Sequence, residues 1–560
     1  MTLDDRSAVD QVGPSSTYTW SSTTGSYATV TNAANDGAAN AYPLLGVGNI
    51  PASSAVQLAS GADLDLNGTN QVIAALADTG VGSGSVINSA SSKPVALTLG
   101  AAAGSSTFSG IISDSGSANA ISLVKNGAGI QVLAGTNAYH GSTTVNTGLL
   151  QLAGAGQLGL GGLTVNGGTF DLNALNQSVS NLGGGGTITN SAATSSTLTV
   201  SLPASAAGTF SGLLATPSTG NLDLVFNSTA GGTASNSSIS NAANTFKGSI
   251  TVNGTGFLDG NDSHGIVGFN TDGALGDPSN PITLTHGGTI TNMYNPSASG
   301  SWPNHAVFTL GTGRTIYVTG AVGGSIRIGY GDTCTVLSQI TGDGGLAKTD
   351  GGALILGGSI ANTYTGVTTL GGNGKLVLAK TGGAFAIAGN INLSSTTWNG
   401  NASGIVLGGD EQIADSAILT WTTTALGGGV QMDSFLRPNG HTETIGGLVS
   451  TGDGGKAGIE NRGFGDGGDY PNGTLIVNAT GSSIYSFNGF IRDKDGGSGT
   501  AIMAFTKTGS GTQKLPTSAT SRPTAAWLWR VRVLSRSTNP AASSLAIRSA
   551  ASPASTMAAP

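Results

Sequence analysis

Apolar and polar residues alternate along this chain in short runs, and the runs end at glycine or asparagine. Ala96-Leu97-Thr98-Leu99, Leu198-Thr199-Val200 and Leu475-Ile476-Val477 are typical. A period of two over three to five residues reads as strand, and nothing helical intervenes. The clearest stretch is residues 121–152. There an apolar run enters Lys125-Asn126-Gly127-Ala128-Gly129, and a strand follows over Ile130–Leu133. Then come Asn137-Ala138-Tyr139-His140-Gly141, a strand over Ser142–Val145, Gly148, and a strand over Leu149–Leu152.

The same order recurs. Leu64-Asp65-Leu66-Asn67-Gly68 with Gln71 opens a first unit, and Phe170-Asp171-Leu172-Asn173 with Gln177 opens a second. The second closes on Asn244-Thr245-Phe246-Lys247-Gly248. A third closes on Lys348-Thr349-Asp350-Gly351-Gly352, Asn362-Thr363-Tyr364-Thr365-Gly366 and Lys375–Leu378. A fourth opens at Asn439-Gly440 with Glu443 and ends on Lys507-Thr508-Gly509-Ser510-Gly511. Units of short strands cannot bury their apolar faces alone, so neighbours must stack into an array. Glycine at each corner permits positive φ, and asparagine tolerates the left-handed conformation. A parallel β-helix, a β-solenoid whose rungs are strands, satisfies all of this.

Composition sharpens the picture. Glycine supplies 93 of 560 residues, while charged residues are 9% and hydrophobic residues 38%. That is not the composition of a disordered chain, which combines low hydrophobicity with high net charge. The net charge of −7 and the lack of a basic stripe before residue 516 exclude a nucleic-acid footprint. No apolar run reaches the length of a transmembrane helix. The first residues, Met1 to Ser16, do not read as a signal peptide.

Lys-x-Gly-x-Gly, then Asn-x-Tyr-x-Gly-x-Thr-x-Val, then Gly-x-Leu-x-Leu resembles the autotransporter-associated β-strand repeat of bacterial autotransporter passenger domains. Lys125–Leu152 and Lys348–Leu378 match nearly throughout, Asn244–Val252 matches the middle and Lys507–Gly511 the start. The resemblance implies an all-β, right-handed parallel β-helix at the cell surface or secreted. It implies adhesion or display, no catalysis and no cofactor. The implied partner is a surface ligand, a glycan or a host or matrix protein. The expected organisation is an irregular β start over 1–45, a repeat-containing β-helix over 46–515 and an aberrant tail over 516–560. The tail holds no glycine and five arginines, and it interrupts a repeat after Gly511. Thr-Tyr-Ser-Gly-Val is permitted in the neighbouring reading frame at residues 523–528, so a frameshift is expected. The alternative is a genuine basic, Pro- and Ala-rich tail.

Candidate chemistry is sparse. Cys334 is the sole cysteine and excludes an internal disulfide. His140, His264, His286, His305 and His441 show no ligand spacing. His140 and the recurring Lys125, Lys348 and Lys507 are expected to face solvent. Acidic glycine-rich loops stand at 342–345, 452–455, 466–469 and 493–496, and they read as turns, with an adventitious surface calcium site as the alternative. Gly374-Lys375-Leu376 is not a phosphate loop. The alternative function is a polysaccharide-active β-helix enzyme, a lyase or hydrolase. That reading requires carboxylates such as Asp433, Glu443, Asp453 and Glu460 to converge in one groove. No catalytic, cofactor or metal-binding residues are therefore assigned.

Overall fold

The computed structural model describes residues 50–515 and four isolated strands, Thr17–Thr19, Ala28–Thr31, Arg530–Arg532 and Ala546–Arg548. Within 50–515 it leaves out residues 79–83, 229–235, 256–265, 293–305, 395–402, 423–433, 452–456, 462–470 and 494–501, with a few shorter stretches. The loops at 452–455 and 466–469, the carboxylates Asp433 and Asp453, and His264 and His305 lie outside the described residues. So does most of the tail that carries the expected frameshift.

The described chain is all-β, with two 3-10 turns at Ser117–Asn119 and Asp272–Leu275. It divides into two compact units, one built mainly from residues 1–253 and 263–280, the other from 254–262 and 281–560.

In the first unit the strands Gln71–Ile73, Val95–Leu99, Ile121–Lys125, Thr143–Val145, Leu163–Val165 and Leu182–Gly183 form one parallel sheet. Ser105–Phe108, Ile130–Leu133, Leu149–Leu152, Thr169–Asp171, Thr187–Thr189 and Leu213–Ala215 form another. The two sets interleave in sequence. Each pass of the chain lays one strand on each sheet, which is the topology of a coil. Lys125 pairs with Val145 and Val145 with Val165, so these rungs repeat every 20 residues. The expected alternation is present: in Val95–Leu99 the residues Val95, Leu97 and Leu99 are buried and the two between are not.

The second unit repeats the scheme. Val307–Leu310, Thr333–Val336, Ala353–Leu356 and Lys375–Leu378 stack in parallel, continued by Ser403–Leu407, Ser434–Arg437, Ala457–Glu460 and Phe490–Arg492. Phe308, Cys334, Leu354, Leu376 and Ile405 form one inward column. Cys334 is fully buried, and burial raises its thiol pKa well above the ordinary value, so it behaves as a small apolar side chain.

Glycine is needed where one rung presses on the next. A Cβ on Gly135 would strike the Gly110 carbonyl, and one on Gly141 would strike the Ile121 carbonyl. Asparagine takes left-handed corners at Asn67, Asn173 and Asn439, with φ of 40°, 45° and 54°.

Candidate functional site

The repeating motif is the first place to look for chemistry. Asn137 is buried; its Oδ1 accepts the Ile112 N–H at 2.8 Å and its Nδ2 donates to the Gln157 carbonyl at 2.7 Å. One side chain thus ties three successive rungs. Asn244 does the same with Leu214 and Ala274, and Asn362 with Ile340 and Ala386. Each amide satisfies backbone groups that no neighbouring strand reaches.

Two residues later the aromatic side chain enters the core. Tyr139 and Tyr364 are fully buried, and each hydroxyl lies 2.6 Å from the threonine four residues on, Thr143 and Thr368. Burial raises the pKa of both phenols, that of Tyr139 to about 12, so both stay neutral hydrogen-bonding partners. The Asn244 copy has Phe246 and Ile250 at these two places, both fully buried. A polar pair and an apolar pair occupy the same socket. Neither mixed pair occurs in these three copies, and a mixed pair would leave a buried hydroxyl without its hydroxyl partner.

The lysines correct the sequence expectation. Lys125 is fully buried and stands in the inward column between Leu99 and Val145. Its stem fills core volume. Its ammonium donates to the carbonyls of Asn126, Gly127 and Thr147 at 3.0, 2.7 and 3.3 Å. Lys348 repeats this between Ile326 and Leu370, donating to the Asp350 carbonyl. Lys507 donates to the carbonyls of Thr508 and Gly509. Alternation puts all three on the inner face, and the glycine turn after each offers carbonyls that a flexible cation can cap. The glycine of Gly-x-Leu-x-Leu completes the socket: a Cβ on Gly148 would lie 2.8 Å from Lys125 Nζ. These lysines are anchors within the fold.

His140 is exposed, and its ring nitrogen pairs with Asp114 at 2.5 Å. The Asp114 side chain is itself covered and also accepts the N–H of Ile121, His140 and Gly116. His441 pairs with the exposed Asp410 at 3.2 Å, and His286 lies 3.0 Å from Thr285 Oγ1. Asp343, in the loop at 342–345, accepts the Gly320 N–H. Among the described residues no group of three or more His, Cys, Asp or Glu side chains is placed to hold a metal ion.

The carboxylates named for a glycan-cleaving site do not gather among the described residues. Glu460 is fully buried between Arg437 and Arg492, at 2.6 and 2.7 Å. Arg437 stacks on Phe435 and Arg492 on Phe490. Glu443 is also fully buried, on the strand Thr442–Ile445, which belongs to a different sheet from Ala457–Glu460. Two carboxylates sealed in the interior offer a substrate nothing.

One outward column of the first unit carries no charge. Val72, Thr98, Val124, Thr144, Thr164 and Gly183 align in one column across six rungs. Beside it Asn126, Asn146 and Asn166 form a ladder, each side-chain amide donating to the previous one at 2.8 Å. Sequence reasoning named the motif but not this face. Register, which aligns residues 20 apart, is what assembles it.

Two segments, residues 123–152 and 346–378, match the family model of the passenger-associated transport repeat. Over those two segments the chain is similar to the repeats of autotransporter passengers. Its matched segments are those that carry the buried lysine, the asparagine tie and the tyrosine–threonine pair. Over 343 residues, 57% of its length, this passenger-like chain is 30% identical to an adhesin autotransporter, BmaC, of Brucella suis biovar 1 (strain 1330). It spans 9% of that protein. No solved structure matches it.

Proposed function

We propose that this passenger-like β-solenoid acts outside the cell as an adhesion or display element, and that it contacts its ligand by repetition of weak polar contacts. The observation that carries the reading is the column from Val72 to Gly183 with its asparagine ladder. Rungs about 4.8 Å apart present hydroxyl, amide and methyl groups at a fixed interval. Each contact is weak, but contacts on one rigid surface act together, so avidity exceeds any single affinity. An uncharged face favours an uncharged partner, such as a neutral glycan or a polar patch of a matrix protein. The adhesin relative supports the reading. The buried state of Glu443 and Glu460 speaks against glycan cleavage at those residues.

The test is binding of the purified chain to arrayed glycans and to surfaces coated with matrix proteins. Thr144→Lys with Thr164→Lys should weaken binding at least several-fold, because two ammonium groups must be desolvated. Wild-type binding should change little between low salt and about 0.5 M salt, since the column from Val72 to Gly183 carries no charge to screen. Binding that collapses with salt, or survives the double substitution, overturns the proposal.

A further inference from the structure

Comparison of the repeat openings exposes one exchange. Gln71 and Gln177 are buried, and the side-chain oxygen of each accepts a backbone N–H from the preceding rung. Ile50 donates to Gln71 at 3.0 Å and Leu158 donates to Gln177 at 2.7 Å. In the fourth unit the corresponding residue is Glu443. It too is buried, and it too takes backbone N–H groups from the preceding rung, those of Gln412 at 2.9 Å and Ile413 at 3.0 Å. A titratable carboxyl stands where the earlier copies carry a neutral amide of the same shape.

Its surroundings are acidic. On the opposing segment Asp410 accepts the Thr442 N–H at 2.8 Å and pairs with His441 at 3.2 Å. Glu411 accepts from the N–H and hydroxyl of Thr444, both at 3.0 Å, and holds its backbone at a φ of 48° to do so. Asp415 follows on the same segment. On the other side the register partner of Glu443 is Leu475, which is buried and apolar. Lys380, a base on the earlier rung, bonds the Gln412 side chain through its backbone and turns its ammonium to the Ser338 carbonyl at 3.4 Å. His441, at the strand entrance, is engaged with Asp410.

We propose that Glu443 makes the seam between residues 410–415 and 441–444 a pH-responsive latch, closed while the carboxyl holds its proton and loosened when the proton is lost to solvent. Glu443 accepts the Gln412 N–H through Oε2 and the Ile413 N–H through Oε1; with its proton it keeps one carbonyl oxygen as acceptor, as glutamine does in the earlier copies, and stays uncharged in the buried seam. Without it, a buried negative charge faces Glu411 and Asp415, with two N–H groups as its only compensation. Burial raises the carboxyl from 4.5 to about 8; the two N–H bonds oppose this, and Glu411 and Asp415 add to it. The folded seam therefore keeps a proton that the unfolded chain releases. Its stability is fully present below about 4.5, falls as pH rises and is lost once pH has passed about 8. The proposal is independent of the adhesion reading.

Hydrogen exchange of the full chain, corrected for intrinsic rates, tests it at about pH 5.5 and about pH 8.5. In the wild type, protection at Gln412 and Ile413 should fall about tenfold or more between the two. Glu443→Gln should show equal protection at both. Glu411→Gln should keep the wild-type fall. An unchanged wild type, or a Glu443→Gln variant that loses protection as the wild type does, overturns the proposal. Should Glu443→Gln fail to fold, infrared titration of the wild type decides. A protonated-carboxyl band that persists at neutral pH and vanishes near the alkaline end supports the latch, and its absence at neutral pH refutes it.

Discussion

Tyr139 and Thr143 meet through their hydroxyls, 2.6 Å apart and sealed from solvent. The pair lies on one turn of the coil, so the tyrosine folds back over the strand that follows it.

Breaking both halves of this pair should cost less than the two single breaks added together. Thr143→Val leaves the Tyr139 hydroxyl with the Gly159 N–H alone and should cost about 1 kcal/mol. Tyr139→Phe alone strands the threonine hydroxyl and should cost about 1 kcal/mol. The double variant reproduces the Phe246–Ile250 arrangement in kind and should lie closer to wild type than the sum of the two. A double-mutant cycle from urea unfolding of the first unit measures this. Strict additivity would show that the hydroxyl pair contributes no coupling.

Gly148 and Gly61 separate conformational freedom from close approach. Both have positive φ, 70° and 74°. Nothing lies within 4 Å of a Cβ built on Gly61, whereas one on Gly148 would press on the carbonyls of Gly127 and Gly129 and on Lys125 Nζ. Gly61→Ala should therefore cost only the left-handed term, about 1–2 kcal/mol. Gly148→Ala adds overpacking of about 1–3 kcal/mol. Thermal unfolding of the two variants should show the larger loss at Gly148, and equal losses would mean that the lysine socket yields freely.

The coil was legible in the alternation of residues such as Val95, Leu97 and Leu99 and in the glycine corners, because strand period and turn chemistry are local. The recurring motif was legible because its residues lie close in sequence. The fate of Lys125 was not. A lysine is exposed by prior, and only the inward column shared with Leu99 and Val145 overrides that prior. The same alternation that placed Leu123 inward placed Lys125 inward, so the signal was present and was outweighed by residue type. The pairing of Asp114 with His140 lay beyond reach, because it joins residues 26 apart whose alignment depends on the length of the intervening rung.

Asp114 predicts acid sensitivity in the first unit. Burial alone would raise its carboxyl. The N–H groups of Ile121, His140 and Gly116, with the His140 ring, outweigh burial and hold it below the ordinary value. The unfolded chain then takes up a proton before the folded one does. The stabilisation is present above the unfolded pKa, near 4, and is lost as pH falls through the folded value. Asp114→Asn should reduce stability at neutral pH and flatten the acid limb of the unfolding profile. An acid limb as steep as that of the wild type would assign the sensitivity elsewhere.

Lys348 predicts the opposite limb in the second unit. Burial lowers its ammonium from 10.5 to about 7, with Asp350 pulling the other way. Between those two values the unfolded chain holds a proton that the folded chain has released. Stability attributable to this residue therefore rises with pH from about 7 and levels off near 10.5. Lys348→Met keeps the stem in the column between Ile326 and Leu370 and removes the titration. The variant should be no less stable than wild type near pH 6, because replacing a buried charge by an apolar group of similar shape is often neutral or stabilising. Its disadvantage should appear as pH rises, when the neutral amine of the wild type still caps the Asp350 carbonyl and methionine does not. Unfolding midpoints measured across that range for both chains should cross or converge toward the acid side. Parallel curves would show that Lys348 keeps its ordinary protonation when buried, and that the glycine-turn carbonyls compensate the full charge.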